Sequence, residues 1–269
     1  MTQQPNQAII KQLRDMGFDD TVLDVPRRLV VVIGGPGKTA KTHFALTAPD
    51  PIFYINMDDG AEGVIEKFQQ SGKRIYVKNV RVSRGEKQNV YEELWKGDAG
   101  VKPAILKACA VREGTIVMDT ASELYELSRL SEFGKLEQVK PFHYARVNAE
   151  WQKEILAELY ASKMNVVMIH RIKPKYVNDV RTGDYELSGF SDTDYKAQVV
   201  MTTFRNVERD DDDNPSVRFG YTITDCRQNA AIIGQTFTTV APIVNDHQFH
   251  VDPVVNFDFL LNLVHGPEK

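Results

Sequence analysis

Hydrophobic positions along the chain fall into short apolar runs separated by stretches with helical spacing. Leu29-Val30-Val31-Val32-Ile33 is apolar at every position and mostly β-branched. A run without alternation suits a strand covered on both faces, as in a parallel sheet. Ile52 to Asn56, Arg74 to Val77, Thr115 to Met118 and Val166 to Ile169 read as further short strands. Between them the spacing predicts a helix over Lys41 to about Ala48, ended by Pro49 and Pro51, and another over Ala61 to Gln70, ended by Ser71-Gly72. Glu86 to Ala110 reads as helical with a break near Gly97 to Pro103, followed by helices over Glu123 to Leu130 and Val139 to Ser162. Strands alternating with helices predict an α/β fold with a mostly parallel central sheet flanked by helices.

After His170 the pattern changes. Tyr176 to Leu187 carries Arg181-Thr182-Gly183-Asp184, a hairpin turn signal. Gln198 to Arg205 and Val217 to Asp225 alternate like antiparallel strands, and Ala230 to Phe237 adds another. The acidic tract Asp210 to Asp213, before Asn214-Pro215, reads as a solvated hairpin tip, and Asn256 to Val264 as a closing helix. Residues 1–27 form an N-terminal extension with a weak helical face (Ile9, Ile10, Leu13, Met16), broken at Asp24-Val25-Pro26. Residues 28–269 then form one core with an antiparallel, β-rich C-terminal extension.

Composition narrows the function classes. Over 269 residues, 42% hydrophobic and 26% charged content excludes a disordered chain and a coiled-coil rod. No apolar run approaches the ~20 residues of a membrane span. Met1 to Gln7 is polar, so no secretory signal is expected, and Cys109 and Cys226 read as buried thiols in a reducing cytoplasm. The formal charge of −4 excludes a uniformly basic nucleic-acid binder but leaves a local basic patch open. The histidines show no two-His spacing with a Glu, so no zinc site is expected. Asp210 to Asp213 lacks the alternation and glycine of a calcium loop, and no G-x-S-x-G follows a strand.

The most informative segment is Gly35-Pro36-Gly37-Lys38-Thr39-Ala40-Lys41-Thr42, between the first strand and the first helix of the core. It resembles the phosphate-binding pattern G-x-x-x-x-G-K-[ST], with Ala40 in place of the last glycine. Glycines let successive backbone N–H groups turn inward as a nest for phosphate oxygens. Lys41 would place an ammonium on the β- and γ-phosphates, and the Thr42 hydroxyl would ligate Mg²⁺. His43 completes the candidate nucleotide-binding set. The shorter Gly37-Lys38-Thr39 is a decoy, because its upstream glycine would fall at Val32. A methyl group at position 40 is tolerable if that residue keeps helical dihedrals, since only glycine reaches positive φ cheaply. Thr115-Ile116-Val117-Met118-Asp119 matches a Walker B strand, whose acid would hold the Mg²⁺ water shell near Thr42. Thr120 and Ser122 are available to cap the following helix, so Asp119 is not needed there.

With these two motifs the chain resembles the RecA-like P-loop ATPases, and in particular the compact phage-encoded AAA-domain proteins that include single-strand annealing ATPases. The resemblance spans roughly residues 28–235 and extends to Asp58, Gly60, Glu62 and Gly63, which fit an Asp-x-Gly-x-Glu-Gly pattern after the second strand. It implies Asp58 as the acid that aligns the attacking water, with Asp59 as the alternative. It implies His170, at the end of a later strand, as a sensor of the γ-phosphate, and Arg227 as an arginine acting on a neighbouring subunit's nucleotide. ATP and Mg²⁺ are the implied cofactors; without an Asn-Lys-x-Asp motif, ATP is favoured over GTP. Single-stranded DNA is the implied partner, with Lys73, Arg74, Lys78, Arg81, Arg84 and Arg171 to Lys175 as candidate cations, together with self-association into a ring or filament. The implied function is Mg-dependent ATP hydrolysis in phage-type DNA recombination or annealing, in the host cytoplasm if the chain is phage-encoded. Ala40 keeps a second reading open, a nucleotide-binding scaffold without turnover; a small-molecule kinase is a weaker third, since no lid with clustered arginines is evident.

Overall fold

The computed structural model, which describes residues 7–18, 27–57, 59–83, 85–136, 140–209, 215–242 and 255–267, resolves the non-alternating apolar runs into two hidden alternations. The elements in chain order are α1 (Gln7–Asp15), β1 (Val30–Gly34), α2 (Lys41–Leu46), β2 (Ile52–Asn56), α3 (Val64–Gln70), β3 (Ile75–Asn79), α4 (Gln88–Lys96), α5 (Val101–Cys109), β4 (Thr115–Asp119) and α6 (Ala121–Phe133). There follow α7 (Pro141–Glu150), a π-helical turn (Trp151–Leu156), α8 (Ala157–Ala161), β5 (Asn165–His170), β6 (Ile172–Val177) and β7 (Val180–Leu187). The last elements are α9 (Thr193–Lys196), β8 (Val199–Arg209), β9 (Pro215–Cys226), β10 (Thr236–Pro242) and α10 (Phe257–His265). In β1, Val30 and Val32 pack into the core under α4 to α8, while Val31 and Ile33 pack under α2, α3 and α10. Met118 and Val117 of β4, and Met168 and Val167 of β5, divide in the same way. Each strand is apolar throughout because both of its faces are covered.

The main sheet has the order β10-β9-β8-β1-β5-β4-β2-β3. From β8 to β3 all neighbours are parallel, whereas β9 and β10 are antiparallel. The chain is thus α/β, with a mostly parallel sheet flanked by helices and antiparallel strands toward the C-terminus, as expected. In-register pairing sets Gly34 beside His170, Asp119 beside Ile169 and Asn56 beside Asp119. The candidate chemistry therefore collects along the carboxyl edge of the parallel strands, where such sheets bind ligands. Among the described residues no helix is long and apolar enough to cross a membrane.

Three local expectations need correction. The hairpin turn lies at Asn178-Asp179, between the paired Val177 and Val180, and Arg181 to Asp184 lie within β7. Asn178 and Asp179 both have positive φ, 50° and 61°, as a two-residue hairpin loop requires. The strand expected over Ala230 to Phe237 starts only at Thr236; Ala230–Ile232 is a 3₁₀ turn in which Asn229 accepts a hydrogen bond from the Ala231 N–H. The helix expected from Ala61 begins at Val64, because Gly63 adopts a left-handed conformation (φ 79°) after a 3₁₀ turn over Asp59–Ala61. The hairpin of β6 and β7 forms a separate two-stranded sheet, while β8 to β10 extend the main one.

Candidate functional site

The loop from Gly35 to Ala40 joins β1 to α2, and a cavity of about 850 Å³ opens above it. Its lining includes every residue from Gly35 to His43, together with Asp119, His170 and Arg171. The size suits a small-molecule ligand. A Cβ on Gly35 would come within 2.1 Å of Thr203 Oγ1 and 2.8 Å of the Thr203 carbonyl oxygen, so glycine is required where β8 closes on the loop. Thr203 Oγ1 lies 2.6 Å from Thr39 Oγ1, and the Tyr221 hydroxyl donates to the Ala40 carbonyl at 3.2 Å. These bonds hold the loop from behind.

Two loop residues depart from ordinary dihedrals. Lys38 has φ 59°, and Ala40 has φ 63° and ψ 19°, both left-handed. Left-handed residues interspersed along a loop turn successive N–H groups inward as an anion nest. Helical dihedrals at position 40 are therefore not found: Ala40 occupies the conformation that a glycine adopts without cost, at a penalty of about 1–2 kcal/mol. Ala40→Gly is expected to raise stability by up to about 1 kcal/mol, part of the relief being offset by the unfolded-state entropy of glycine. Thermal denaturation of the two chains checks this.

The Lys41 ammonium folds back over the loop, donating to the Gly35 carbonyl at 3.0 Å, to the Pro36 carbonyl and to Thr39 Oγ1 at 3.3 Å. The Thr42 hydroxyl donates to Asp119 Oδ2 at 2.8 Å, joining two motifs 77 residues apart. The Tyr54 hydroxyl donates to the same oxygen at 2.5 Å. Asp119 is 5% exposed and Tyr54 1%. Capping of α6 falls to Thr120, whose hydroxyl accepts from the Glu123 N–H. A single carboxylate beside a hydroxyl is a hard-oxygen set that fits Mg²⁺, which keeps most of its waters. Among the described residues no group of three His, Cys, Asp or Glu is placed to hold a metal by itself.

His170 is buried at the end of β5. Its Nδ1 lies 2.9 Å from the Ser188 carbonyl, which can only accept, so Nδ1 carries the proton. Among the described residues Nε2 is buried without a partner. Ser122 ties the arrangement together, donating to the Ser188 carbonyl at 2.6 Å and accepting from the Arg171 N–H at 3.1 Å. Burial pushes the His170 pKa below the ordinary imidazole value, against smaller raising effects of the Ser188 carbonyl and Asp194. An unfolded histidine titrates near about 6.5. Below that pH the unfolded chain takes up a proton that the native chain resists, so stability falls as pH drops, until the depressed native pKa is passed. His170→Gln is expected to flatten this loss, as read by urea unfolding at about pH 7.5 and pH 5.5.

Other candidates are dispersed. His43 lines the cavity, packs edge-on against Phe68 and has a pKa lowered by burial and then by Lys67. Asp58 lies outside the described residues, as do Arg84, the acidic tract Asp210 to Asp213, and His247 and His250; Gly60 and Ala61 line the cavity. Arg227 sits at the opposite, amino edge of the parallel strands, its N–H on the Gln198 carbonyl and its guanidinium on the Tyr195 carbonyl at 2.6 Å. It does not reach the cavity of its own chain. The candidate cations do not form one groove: Lys73 is bonded to the Thr47 and Ala48 carbonyls and Arg74 to Asp50, both just before β3 at the amino edge. Lys78 is bonded to the Ala99 carbonyl, Arg171 is paired with Glu123 and Lys173 with Glu186. A second cavity, of about 1060 Å³, adjoins the first, with Arg171 lining both; Tyr125, Tyr144, Lys135 and Lys173 also line it.

The sequence reading missed Tyr54, Thr203, Tyr221, Ser122 and Ser188. Tyr54, Thr203 and Tyr221 reach the site through strand pairing, and Ser122, read only as a possible helix cap, and Ser188 through the packing of α6 and the end of β7 against His170. No protein-family model and no curated protein sequence matches the chain. Among solved structures the chain is similar to the RadB recombinase, with a TM-score of 0.46 and 11% sequence identity over 82% of this chain and 89% of that one.

Proposed function

We propose that the chain is a RecA-like P-loop ATPase that binds ATP with Mg²⁺ between the Gly35 to Thr42 loop and Asp119. The observation that carries this reading is the Thr42 to Asp119 hydrogen bond at the mouth of the loop cavity. Loop amides and the Lys41 ammonium would hold the phosphates, while Thr42 and Asp119 would hold Mg²⁺, which neutralises charge developing during phosphoryl transfer. Tyr54 fixes the Asp119 carboxylate. His170, which lines the cavity with its Nε2 unbonded among the described residues, would take the sensor role, and Asp58, or Asp59 beside it, would align the attacking water. Arg227, which lies away from this cavity, would act on a neighbouring copy's nucleotide. The exposed Ile9 and Leu13 of α1 support self-association.

The partner proposed is single-stranded DNA, in recombination or annealing of the phage type. It rests on the second cavity, whose half-buried Tyr144 can stack a base and whose Lys135, Arg171 and Lys173 can meet phosphates. ATP turnover by the purified chain is expected to rise on adding single-stranded DNA at low salt, and the rise to fall steeply with salt. Lys135→Glu with Lys173→Glu should abolish the stimulation and leave DNA-independent turnover in place. No affinity for single-stranded DNA at low salt would overturn the recombination reading. The left-handed Ala40 favours the second reading, a nucleotide-binding scaffold: tight binding with no phosphate release, even with DNA, would decide for it.

A further inference from the structure

The cavity above the loop has two ends. Thr42, Asp119 and His170 define one, on the β5 and β4 side of β1. On the other side of β1 the sheet continues into β8 and β9, and there Arg205 of β8 and Phe219 of β9 line the same cavity. The two residues are direct partners across the antiparallel pair. Residues opposite one another in such a pair hold their Cβ atoms within about 5.5 Å.

Strand periodicity fixes which way they face. Thr203, two positions before Arg205 on β8, is bonded to Thr39, and Tyr221, two positions after Phe219 on β9, is bonded to Ala40. Side chains two apart share a face. Arg205 and Phe219 therefore stand on the face that backs the loop, one repeat further out along each strand. Their environment differs from that of the other arginines nearby. Arg171 is paired with Glu123, and Arg218 on the same hairpin with Glu208. Arg205 is exposed and makes no ion pair among the described residues. Phe219 is half-buried.

A guanidinium plane beside a phenyl ring is a stacking platform for a flat heteroaromatic ring, and it grips the ring face. A phosphate chain held with its terminal group toward Asp119 and His170 extends its other end toward β8 and β9. We propose that Arg205 and Phe219 form the base subsite of this cavity, taking the heteroaromatic base of a nucleoside triphosphate whose phosphates lie on the Gly35 to Thr42 loop. The proposal rests on the nucleotide reading above and adds to it the residues that recognise the nucleoside.

Inorganic tripolyphosphate carries the phosphate chain without the base, and so separates the two claims. Equilibrium binding of Mg-ATP and of magnesium tripolyphosphate is measured for the full chain, for Arg205→Gln and for Phe219→Leu. Each variant is expected to weaken Mg-ATP by about tenfold and to leave tripolyphosphate within about twofold. Unchanged Mg-ATP binding in both variants would overturn the subsite. So would an equal loss for both ligands, which would place the two side chains on the phosphates or in support of the loop. If the unaltered chain bound neither ligand, the nucleotide reading itself would fall, and the subsite with it.

Discussion

Lys41→Ala is expected to abolish ATP turnover and to weaken Mg-ATP binding by at least about 100-fold. The Lys41 ammonium is held over the loop by the Gly35 and Pro36 carbonyls and Thr39 Oγ1, all of them lining the cavity. A point charge on a flexible stem can leave these neutral acceptors for a phosphate oxygen, where the attraction is far stronger. Removing it leaves the loop amides to face a highly charged ligand alone. The substitution truncates a half-buried side chain that supports no core packing, so the thermal midpoint should stay near that of the unaltered chain. Lys38→Ala is the control: Lys38 is exposed at the loop tip, and its loss should change binding by less than about threefold. Phosphate release and equilibrium nucleotide binding check both variants. Retained turnover in Lys41→Ala would remove this lysine from the site.

The second large effect is on stability. Glu150 ends α7 among three other helices. Its Oε1 accepts from Lys102 Nζ of α5 at 2.7 Å and from Trp95 Nε1 of α4 at 3.3 Å, and its Oε2 from Ser128 Oγ of α6 at 3.2 Å. Trp95 stacks on Trp151, with ring centroids 5.8 Å apart, directly beside this cluster. Glu150→Ala strips the partner from a mostly buried ammonium and from two buried donors, at a cost of about 3 kcal/mol. Glu154, 2.6 Å from Lys102 but half-exposed, keeps the cost from rising higher. The melting temperature should fall by about 8 °C. Lys102→Met combined with Glu150→Leu should recover much of the loss, because a paired apolar replacement leaves no buried charge behind. A double variant no more stable than Glu150→Ala would mean that packing, and not the charge, carries the effect.

The legibility of the chain follows the range of the interactions involved. β2 was readable to the residue, and β1, β4 and β5 to within one, because strands covered on both faces are apolar throughout and end where the polar edge begins. The loop and Asp119 were readable because their chemistry is written in adjacent residues. Ala40 was not, because a left-handed conformation at an alanine is imposed by the turn into α2 and leaves no mark on the residue type. The hairpin turn was misplaced because Arg181-Thr182-Gly183-Asp184 has the composition of a turn, while Asn178-Asp179 supplies the two positive φ values that the geometry needs. Tyr54, Thr203 and Tyr221 were invisible for a different reason. Each is an ordinary strand residue until the pairing of β2 with β4 brings the Tyr54 hydroxyl onto the Asp119 carboxylate and the last strands run behind the loop. The candidate DNA cations were read as lining one local groove, but pairing with acids and attachment to backbone carbonyls scatter them over both edges of the sheet.

The central claim is that main-chain and side-chain groups of the Gly35 to Thr42 loop enclose a triphosphate whose metal lies against Asp119. A crystal structure of the chain with Mg²⁺ and a non-hydrolysable ATP analogue tests it most directly. The account predicts phosphate density within the loop, the Lys41 ammonium moved from the Gly35 and Pro36 carbonyls onto phosphate oxygens, and a metal ion between Thr42 Oγ1 and the Asp119 carboxylate. Nucleotide bound elsewhere, or Lys41 still on its own loop carbonyls beneath a bound nucleotide, would contradict it.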